Sequence, residues 1–514
     1  MLFFTIFAAC KQKLMSSKLL NIARKYHKWP ALVISFFLIM FAVSGIIMNH
    51  RGITSKSDVS RSLLPSSYRL RNWNLASVKS SLILNDGSRI VYGNSGIWKS
   101  DSLFSSFTDF NEGLDRGMDN RKVRSVVQLN DGTLLAGTFS GLYRRLPAGT
   151  SWSRIKLPVS SDRIQDVICN DSAAVVVTRS ELITLTGGSG EEDAKVHILK
   201  TAEGESRTIS LFRLFWILHS GEILGLAGRL LLDLLALVII FLVITGLLHF
   251  FLPKLSQNIR KKLSDLPEFR RKNLRLHNKA GAWAFVLLLF VPFTGMFLRP
   301  PFLITIAYGS IPAINNPFTG SNNPWEDKLR AVAWSEELNG YILSTSEGFY
   351  FSDRNFSDSL RYFAVQPPVS VMGINVFSNA GDNRFYVGSF DGLYLWHPVR
   401  GEVMDLLPAQ EEGSRRRNAQ VLISGMISRG EEHVLFDYDR GDLSEGISFP
   451  PMPENIRAAS PMPLWNVAQE IHTGRIYQPI LGPFYILVVP LVAIFSLIVF
   501  ISGYIRWRKL YRKA

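Results

Sequence analysis

Histidines recur at fixed positions beside the apolar stretches of this chain. His27 and His277 each precede a glycine by eighteen residues across such a stretch. His219, in the sequence LHSG, and His472, in IHTG, each introduce another apolar run. Histidines within or beside a membrane are rare and usually functional, and facing histidines in a helix bundle commonly hold haem iron. The pattern predicts two related halves, each a pair of membrane helices with candidate haem ligands at its rims.

Four apolar runs are long enough to position these histidines at the rims of a membrane. They cover residues 31–48, 226–252, 282–303 and 480–505, and each approaches the ~20 residues that a helix needs to cross the hydrocarbon. With 47% apolar residues overall, the sequence predicts a membrane α+β protein. Its expected fold is a four-transmembrane-helix bundle built from two tandem repeats, with β-rich, propeller-like extracytoplasmic domains.

The net charge of +15 comes from three short segments beside the helices. Residues 1–29 hold six Lys/Arg and no acid, residues 253–275 hold eight against two acids, and the tail after Ile505 holds five. Basic residues on one side of the helices follow the positive-inside rule, which predicts a bacterial inner-membrane protein with both termini and the central loop in the cytoplasm. Because these charges flank the membrane and form no basic face, the sequence argues against nucleic-acid binding.

This topology divides the chain into nine segments. They are a cytoplasmic N-terminus (1–29), a first membrane helix (30–50), a periplasmic β-rich part (51–212), a second helix with its preceding rim (213–252), a cytoplasmic loop (253–276), a third helix (277–303), a second periplasmic β-rich part (304–464), a fourth helix with its rim (465–505) and a cytoplasmic tail (506–514). The two cysteines, Cys10 and Cys169, fall on opposite sides of the membrane, which argues against a structural disulfide between them.

A motif of a strand, a glycine-bearing turn and an aromatic strand start recurs in both outer parts. DGSRIVYGNSGIWKS around Gly96 matches DGTLLAGTFSGLYRR around Gly141, and the sequences around Gly348 and Gly392 match in the same way. Weaker copies near residues 175–185 and 434–446 would bring the number to six. Repeats of about 40 to 50 residues are typical of propeller blades, which cannot bury their faces alone. We expect a single six-bladed cap; two separate β-rich domains are the alternative.

A two-fold axis along the membrane normal would make equivalent residues of the two halves face each other. This expectation pairs His27 with His277 at the cytoplasmic rim and His219 with His472 at the outer rim. Since a helix rises ~1.5 Å per residue, the eighteen residues after His27 span about 27 Å. One haem cannot serve both rims, so two haem b groups are expected, with iron held by these four imidazoles.

Further candidates to bind the cofactor are His50, His249, Arg229 and Arg299. The two histidines have no histidine counterpart in the other half and are interpreted as spare ligands, propionate partners or interface residues. The arginines are either propionate partners, because a guanidinium pairs bidentately with a carboxylate, or snorkelling anchors. The remaining histidines, which show no metal-ligand spacing and are interpreted as surface or strand residues, are His197, His397 and His433.

Glycines close to the ends of the apolar runs have two open interpretations. These residues are Gly45, Gly246, Gly295 and Gly503. A missing side chain can let a flat macrocycle or a neighbouring helix come close. Ordinary helix packing explains the same residues equally well.

The helices resemble the PepSY-associated transmembrane family. The resemblance rests on RKYHKWPALVISFFLIMFAVSG, LHSGEILGLAGRLLLDLLALVIIFLVITGLL and IHTGRIYQPILGPFYILVVP, which share a His-aromatic entry, an internal His-x-Gly and a terminal Ser/Thr-Gly. It covers about a quarter of the chain and implies a haem-containing inner-membrane reductase of ferric siderophores. The outer parts do not resemble a PepSY domain, so the substrate of such reductases does not carry over.

The expected function is transmembrane electron transfer from a separate cytoplasmic or quinol donor to a periplasmic acceptor. The sequence shows no flavin or nicotinamide site, because its Gly-rich turns lie in hairpins and none opens a helix after a strand. The resemblance suggests a ferric siderophore or iron chelate as the acceptor, since reduction to Fe(II) weakens hard oxygen ligation. The alternative is a non-enzymatic, membrane-anchored β-propeller that binds a ligand or partner protein for signalling or scaffolding.

Overall fold

A computed structural model describes most of the 514 residues of the chain. The described residues are 17–159, 161–170, 173–186, 193–201, 208–254, 266–312, 323–368, 373–407, 421–429, 432–443 and 449–510. Cys10 and most of the basic N-terminus lie outside these ranges, as does part of the central basic loop.

The chain forms two compact units, each assembled from separated segments. The helical unit contains Met1–Thr54, Arg207–Gly320 and Trp465–Ala514. The β unit contains Ser55–Ser206 and Ser321–Leu464. Both outer parts predicted from the sequence therefore contribute to one β unit.

The helices of the described chain are α1 (Ser17–Asn49), α2 (Arg51–Thr54), α3 (Leu211–Ser220), α4 (Gly225–Phe251), α5 (Leu266–Trp283), α6 (Phe285–Met296), α7 (Phe302–Ile306), α8 (Glu454–Ala458), α9 (Leu464–His472), α10 (Gln478–Leu481) and α11 (Val488–Leu510). Among them, α8 belongs to the β unit, and the first residue of α9, Leu464, is the last residue of that unit.

Three helical stretches of the described chain are long and apolar enough to cross a membrane. They are Leu20–Asn49, Glu222–Phe251 and Arg475–Leu510. The third apolar run of the sequence instead forms α5 and α6, which meet at an angle of 63°. The third helix was predicted over 277–303, whereas α6 ends at Met296. If the bent pair counts as one span, the number of candidate spans is four.

The helices of the two halves pack against each other. Helix α11 contacts α1 and α6, and α4 contacts α1 and α5. Two buried clusters fill these contacts: Ile34 and Val488 belong to one, Leu235 and Leu288 to the other. Helices with apolar residues on all sides are expected in a hydrocarbon environment, where lipid replaces water around their outer faces.

Most strands of the β unit form six antiparallel meander sheets. Sheet 1 has β2 (Ser80–Ile83), β3 (Arg89–Gly93), β4 (Gly96–Ser100) and β5 (Phe107–Asp109); sheet 2 has β6 (Val123–Gln128), β7 (Leu134–Thr138), β8 (Leu142–Arg145) and β9 (Ser153–Ile155); sheet 3 has β10 (Ile164–Asn170), β11 (Ala173–Thr178), β12 (Leu182–Thr186) and β13 (Ala194–His197). Sheet 4 has β16 (Leu329–Ser335), β17 (Gly340–Thr345), β18 (Phe349–Asp353) and β19 (Arg361–Tyr362); sheet 5 has β20 (Val376–Gly381), β21 (Arg384–Ser389), β22 (Gly392–His397) and β23 (Glu402–Asp405); sheet 6 has β24 (Ile423–Arg429), β25 (Glu432–Asp437) and β26 (Gly441–Asp442).

The remaining strands form two short antiparallel pairs. In the β unit, β1 (Asp58–Val59) pairs with β27 (Met462–Pro463). In the helical unit, β14 (Thr208–Ser210) pairs with β15 (Ser310–Pro312). Each pair joins the strand that follows the first span of one half to the strand that precedes the short histidine-bearing helix of the other half.

The six sheets coincide with the six sequence repeats. Gly96 starts β4 with a φ of 94°, a left-handed conformation that suits glycine in the tight turn between two strands. Gly348 occupies the matching turn before β18, with a φ of 142°. The weaker copies also fall on hairpins, since β11 pairs with β12 and β25 with β26.

The first strands of the six sheets contact one another in cyclic order. This set, here called the inner ring, runs β2, β6, β10, β16, β20, β24 and back to β2. The core follows the same order, because one buried cluster lies between each sheet and the next, and a sixth cluster joins sheet 6 to sheet 1. No sheet buries both faces alone, so the β unit requires both halves of the chain.

Candidate functional site

Short helices and left-handed glycines position two of the four duplicated histidines. His219 lies near the end of α3 and His472 ends α9. Gly221 and Gly474 follow with φ values of 76° and 77°, the conformation that commonly terminates a helix. This explains the His-x-Gly spacing in both halves, because the glycine turns the chain into the next span two residues after the histidine.

The first histidine pair consists of His27 on α1 and His277 on α5. Their ring centres are 6.2 Å apart, with an interplanar angle of 78°. The Nδ1 atom of His27 donates to the carbonyl oxygen of Val499 at 2.9 Å, and Nδ1 of His277 lies 2.8 Å from Oγ1 of Thr245. Each imidazole is therefore held by a helix of the opposite half: His27 by α11 and His277 by α4.

The second histidine pair consists of His219 and His472, with ring centres 6.0 Å apart. His219 Nδ1 lies 3.1 Å from the carbonyl oxygen of Val291 and 3.2 Å from Thr294 Oγ1. His472 Nδ1 lies 3.1 Å from the carbonyl oxygen of Phe41 and 3.0 Å from Ser44 Oγ. The structure thus brings together the same histidines that the two-fold argument pairs.

Hydrogen bonding fixes which ring nitrogen carries the proton. A carbonyl oxygen can only accept, so Nδ1 of His27, His219 and His472 must donate. The Thr245 hydroxyl donates to the carbonyl oxygen of Phe241 at 2.7 Å, which leaves its oxygen to accept from His277. All four neutral imidazoles then present an unprotonated Nε2, the form that ligates a metal, with Nδ1–H held by a second group.

Glycines lie directly against the four imidazoles. A Cβ atom built on Gly45 would lie 3.5 Å from Cε1 of His472, and one on Gly295 would lie 2.6 Å from Cε1 of His219. Gly503 and Gly246 face His27 and His277 in the same way, at 2.8 and 3.5 Å. The glycines therefore admit the histidine rings themselves, a role that neither sequence interpretation named.

A hydroxyl residue precedes each of these glycines and belongs to the same site. Ser44, Thr245 and Thr294 contact the histidine Nδ1 atoms, while Ser502 bonds the Val499 carbonyl that His27 uses. Sequence reasoning noticed the Ser/Thr-Gly pairs as a motif but assigned the hydroxyls no role. The signal was present, since a small hydroxyl residue adjoins a glycine in four equivalent places.

The two pairs are at different depths along α1. This helix carries His27, and eighteen residues later Gly45 contacts His472. At ~1.5 Å per residue the pairs are about 27 Å apart along the helix. A single planar group cannot bridge them, whereas one group at each level can.

The spacing within each pair suits a metal ion between two imidazoles. Metal–imidazole bonds of about 2 Å, with each nitrogen about 1 Å from its ring centre, give ring centres roughly 6 Å apart. The measured separations are 6.2 and 6.0 Å. The residues present thus fit a haem iron held by two histidines at each level.

The other candidate histidines do not join either pair. His50 Nε2 lies 2.7 Å from Oδ2 of Asp233, and Asn49 donates to the other carboxylate oxygen at 2.8 Å. Asp233 lies inside α4 and is largely buried, with 13% of its side chain exposed. His249 is exposed in the last turn of α4. An intramembrane carboxylate paired with a histidine is costly and marks a functional candidate.

The two candidate arginines have different surroundings. Arg229 lies 4.0 Å from the carboxylate of Glu222, which also pairs with Arg213 at 3.2 Å. Arg299 has a buried Nε atom that no hydrogen-bonding group of the described residues reaches. A guanidinium N–H without a protein partner can bind a carboxylate, although the Arg299 side chain also hydrogen-bonds Tyr485.

The three outer histidines are strand residues with protein partners. His197 contacts Thr184 at 2.9 Å, and His433 lies between Ser428 and Tyr386. His397 is buried in β22 at 5% exposure and is not a surface residue.

Comparison with known proteins places the whole chain in one family. The family described as PepSY-associated TM region matches residues 4–254 and again residues 255–509. The chain belongs to this family. The double match also confirms that the chain is built from two related halves of the PepSY-associated TM region, and the histidine pairs join those halves. No curated protein matches the sequence.

Solved structures resemble this family member only distantly. The extracellular domain of BT4673 from B. thetaiotaomicron has a TM-score of 0.37 and 9% identity. The match covers 71% of this chain and 32% of the solved chain. The computationally designed Ika8 protein has a TM-score of 0.27 and 8% identity over 72% of this chain and 96% of its own. YCF48 from Cyanidioschyzon merolae has a TM-score of 0.31 and 10% identity over 73% of this chain and 96% of its own.

Proposed function

We propose that this protein carries electrons across the bacterial inner membrane through two haem b groups, one at each histidine pair. The acceptor on the outer side is ferric iron in a siderophore or another chelate. The donor is a separate cytoplasmic protein or membrane quinol. The observation that carries the proposal is the convergence of two duplicated histidine pairs, each with a spacing and tautomer suited to an iron between the rings.

The protein's own residues orient the ligands and exclude water. The Val499, Val291 and Phe41 carbonyls hold Nδ1–H of three histidines, which leaves their Nε2 atoms unprotonated and able to bind a metal. Apolar side chains pack between the helices in two buried clusters. Haem supplies reversible one-electron chemistry when bound, and Arg299 offers a guanidinium to its propionates.

The distribution of charge supports the orientation of the pathway. The three basic segments favour a cytoplasmic location for both termini and the central loop, with the bent α5–α6 pair counted as one span. In this orientation the first histidine pair lies toward the cytoplasm and the second lies toward the periplasm. Electrons then pass outward from the first level to the second.

The cyclic order of the six sheets supports the second part of the proposal, a six-bladed propeller as the periplasmic domain. The first strands form a closed inner ring, and a buried cluster fills every interface between successive sheets. Propellers present binding surfaces at the ends of their central channel. The β unit would therefore hold the acceptor or a partner protein that delivers it.

The direct test is the pigment of the full-length protein. We expect protein expressed with sufficient haem to purify with two haems per chain and the reduced spectrum of a bis-histidine b-type cytochrome. His219→Ala or His472→Ala removes one haem, and His27→Ala or His277→Ala removes the other. His433→Ala, on β25 of the β unit, serves as a matched histidine control that keeps both.

A folded, colourless protein would reject the haem relay. If His219→Ala and His472→Ala leave the pigment unchanged and alter binding of a partner protein, the anchored β-propeller scaffold is the correct function. Reduction of a ferric hydroxamate chelate by haem-loaded, dithionite-reduced protein, followed by Fe(II) capture, then tests the acceptor. Haem that does not reoxidise on adding the chelate would exclude this substrate.

A further inference from the structure

Helix α5 crosses the apolar helix α4 at a steep angle. Asn273 Nδ2 donates to the carbonyl oxygen of Thr245 at 2.9 Å, and His277 Nδ1 lies 2.8 Å from Oγ1 of the same threonine. A Cβ atom on Gly281 would lie 3.7 Å from Leu242. Between its first and last contacts α5 advances about 12 Å along its own axis, whereas the contacts on α4 advance only about 4.5 Å. The two helix axes are therefore far from parallel.

Contacts at the first histidine pair show the same course for the end of α5. The His277 ring centre is 6.2 Å from that of His27. Directly after the bend, the Phe285 ring stacks on Tyr504 at 3.9 Å, and the residue before this tyrosine, Gly503, faces His27. A helix covers about 12 Å in the eight residues from His277 to Phe285, yet both ends of this segment lie beside the same pair. Relative to the spans, α5 thus runs more nearly along the membrane surface than across it, and α6 turns away from it by 63°.

One face of α5 carries large apolar side chains that the protein leaves exposed. Phe269, Leu276 and Trp283 are 48%, 53% and 84% exposed. They are spaced by seven residues, so they lie within about 40° of one another around the helix. Aromatic residues are enriched where the hydrocarbon meets the lipid headgroups. This stripe is therefore suited to contact lipid along the length of α5.

The neighbouring face of α5 is strongly basic. The helix contains five Lys/Arg and one acid, Glu268, which pairs with Lys272 at 2.9 Å. Arg271, Arg275 and Lys279 are exposed and follow one another at intervals of four residues, which aligns them along one side of the helix. A basic face beside an apolar aromatic one is typical of helices that lie in the interface of an anionic membrane.

We propose that α5 is an interfacial helix whose basic face binds the headgroups of anionic phospholipids. These lipids belong to the leaflet that faces the cytoplasm in the proposed orientation. The apolar stripe inserts beside their acyl chains, while the guanidinium and ammonium groups donate to phosphate oxygens. The inference does not depend on haem, because the exposed faces of α5 are not the face that carries His277.

The experiment measures contact between Trp283 and lipid in the full-length protein, reconstituted into phosphatidylcholine vesicles. The vesicles contain the same small fraction of either brominated phosphatidylglycerol or brominated phosphatidylcholine, and bromine quenches tryptophan fluorescence on contact. The chain has eleven tryptophans, so the signal of Trp283 is the difference between each protein and its Trp283→Phe counterpart. A basic residue near an anionic surface is worth about fivefold in affinity. We expect Trp283 to favour the anionic lipid by at least this factor.

Paired variants test whether the basic face causes the preference. Arg275→Gln combined with Lys279→Gln, two turns and one turn before Trp283, should lower it about fivefold or more. Lys195→Gln combined with Arg400→Gln is the matched control, which removes two positive charges from exposed positions of the β unit and leaves the preference unchanged.

Two results would overturn the proposal. Equal quenching by both lipids in the wild type would do so and would favour an acidic protein as the partner of this face. An equal loss of preference in the control variant would show that net charge, and not α5, attracts the lipid. Thermal unfolding and haem content of each variant verify that it is folded, and they are measured separately from lipid contact.

Discussion

The glycines that face the histidines allow a matched test within one site. Gly295 and Gly45 both contact the second histidine pair and both lie near the end of a helix, but their distances differ. A Cβ on Gly45 would be in ordinary contact with His472 at 3.5 Å, whereas a Cβ on Gly295 would lie 2.6 Å from Cε1 of His219. We therefore expect Gly295→Ala to displace an imidazole and Gly45→Ala to leave its imidazole in place.

The size of the expected stability difference between the two variants follows from the difference of 0.9 Å between their contacts with histidine. Moving the His219 ring by this amount would lengthen its Nδ1 bonds to Val291 and Thr294, now 3.1 and 3.2 Å, beyond hydrogen-bonding range. Overpacking costs about 1–3 kcal/mol, and the gain of ~1 kcal/mol from replacing a helical glycine is common to both variants. Gly295→Ala should thus be about 1–3 kcal/mol less stable than Gly45→Ala.

Two measurements on detergent-solubilised protein check this prediction. The thermal unfolding midpoint should fall in Gly295→Ala relative to Gly45→Ala, with or without haem. Haem affinity at the second level should weaken by about 10- to 100-fold in Gly295→Ala, as for loss of a group that orients a metal ligand. Gly503→Ala and Gly246→Ala repeat the comparison at the first pair, at 2.8 and 3.5 Å. Indistinguishable alanine variants would refute the argument.

Two further predictions concern single groups. Thr245→Val removes the hydroxyl 2.8 Å from His277 Nδ1, so the haem affinity of the first pair should fall about tenfold or more. Ser496→Ala is the control, because the Ser496 hydroxyl bonds Val492 on its own helix, and it should leave a haem titration unchanged. Asp233→Asn weakens the hydrogen bonds of this side chain to His50 and Asn49. We expect the free energy of unfolding to fall by about 1–3 kcal/mol, which thermal unfolding measures. An unchanged unfolding midpoint would mean that the contact is not formed.

Duplication made part of this structure predictable from the sequence. The four histidines recur with their glycines at equivalent places, and a two-fold relation between halves is enough to pair His27 with His277 and His219 with His472. The hairpins were visible for a similar reason, since glycine recurs at the turn in several of them, as at Gly96 and Gly348, although Glu181 takes its place in sheet 3. Repetition supplied the information that a single helix or hairpin lacks.

Features without a repeat were harder to predict. Residues corresponding to Asp233 and His50 are absent from the second half, so their contact depends on how α1 and α4 pack and not on any spacing. The bend between α5 and α6 occurs at Ala284, with no proline at the break, and apolar composition alone reads as one continuous helix. The register shifts at Arg124 and Arg330 were hidden as well, because hydrophobic alternation does not reveal a bulge.

The contact that closes the inner ring between β24 and β2 has a consequence for the synthesis of the protein. It connects Lys79 to Met426, and at about 5–20 residues per second the ribosome needs roughly 20 to 70 s to synthesise the chain between them. A chain that has completed only the first three sheets leaves the sheet 1 part of one buried cluster and the sheet 3 part of another in contact with solvent. Exposed apolar surface of this kind makes a partly folded chain prone to aggregation, so a nascent chain halted after the third sheet would depend on a chaperone to stay soluble.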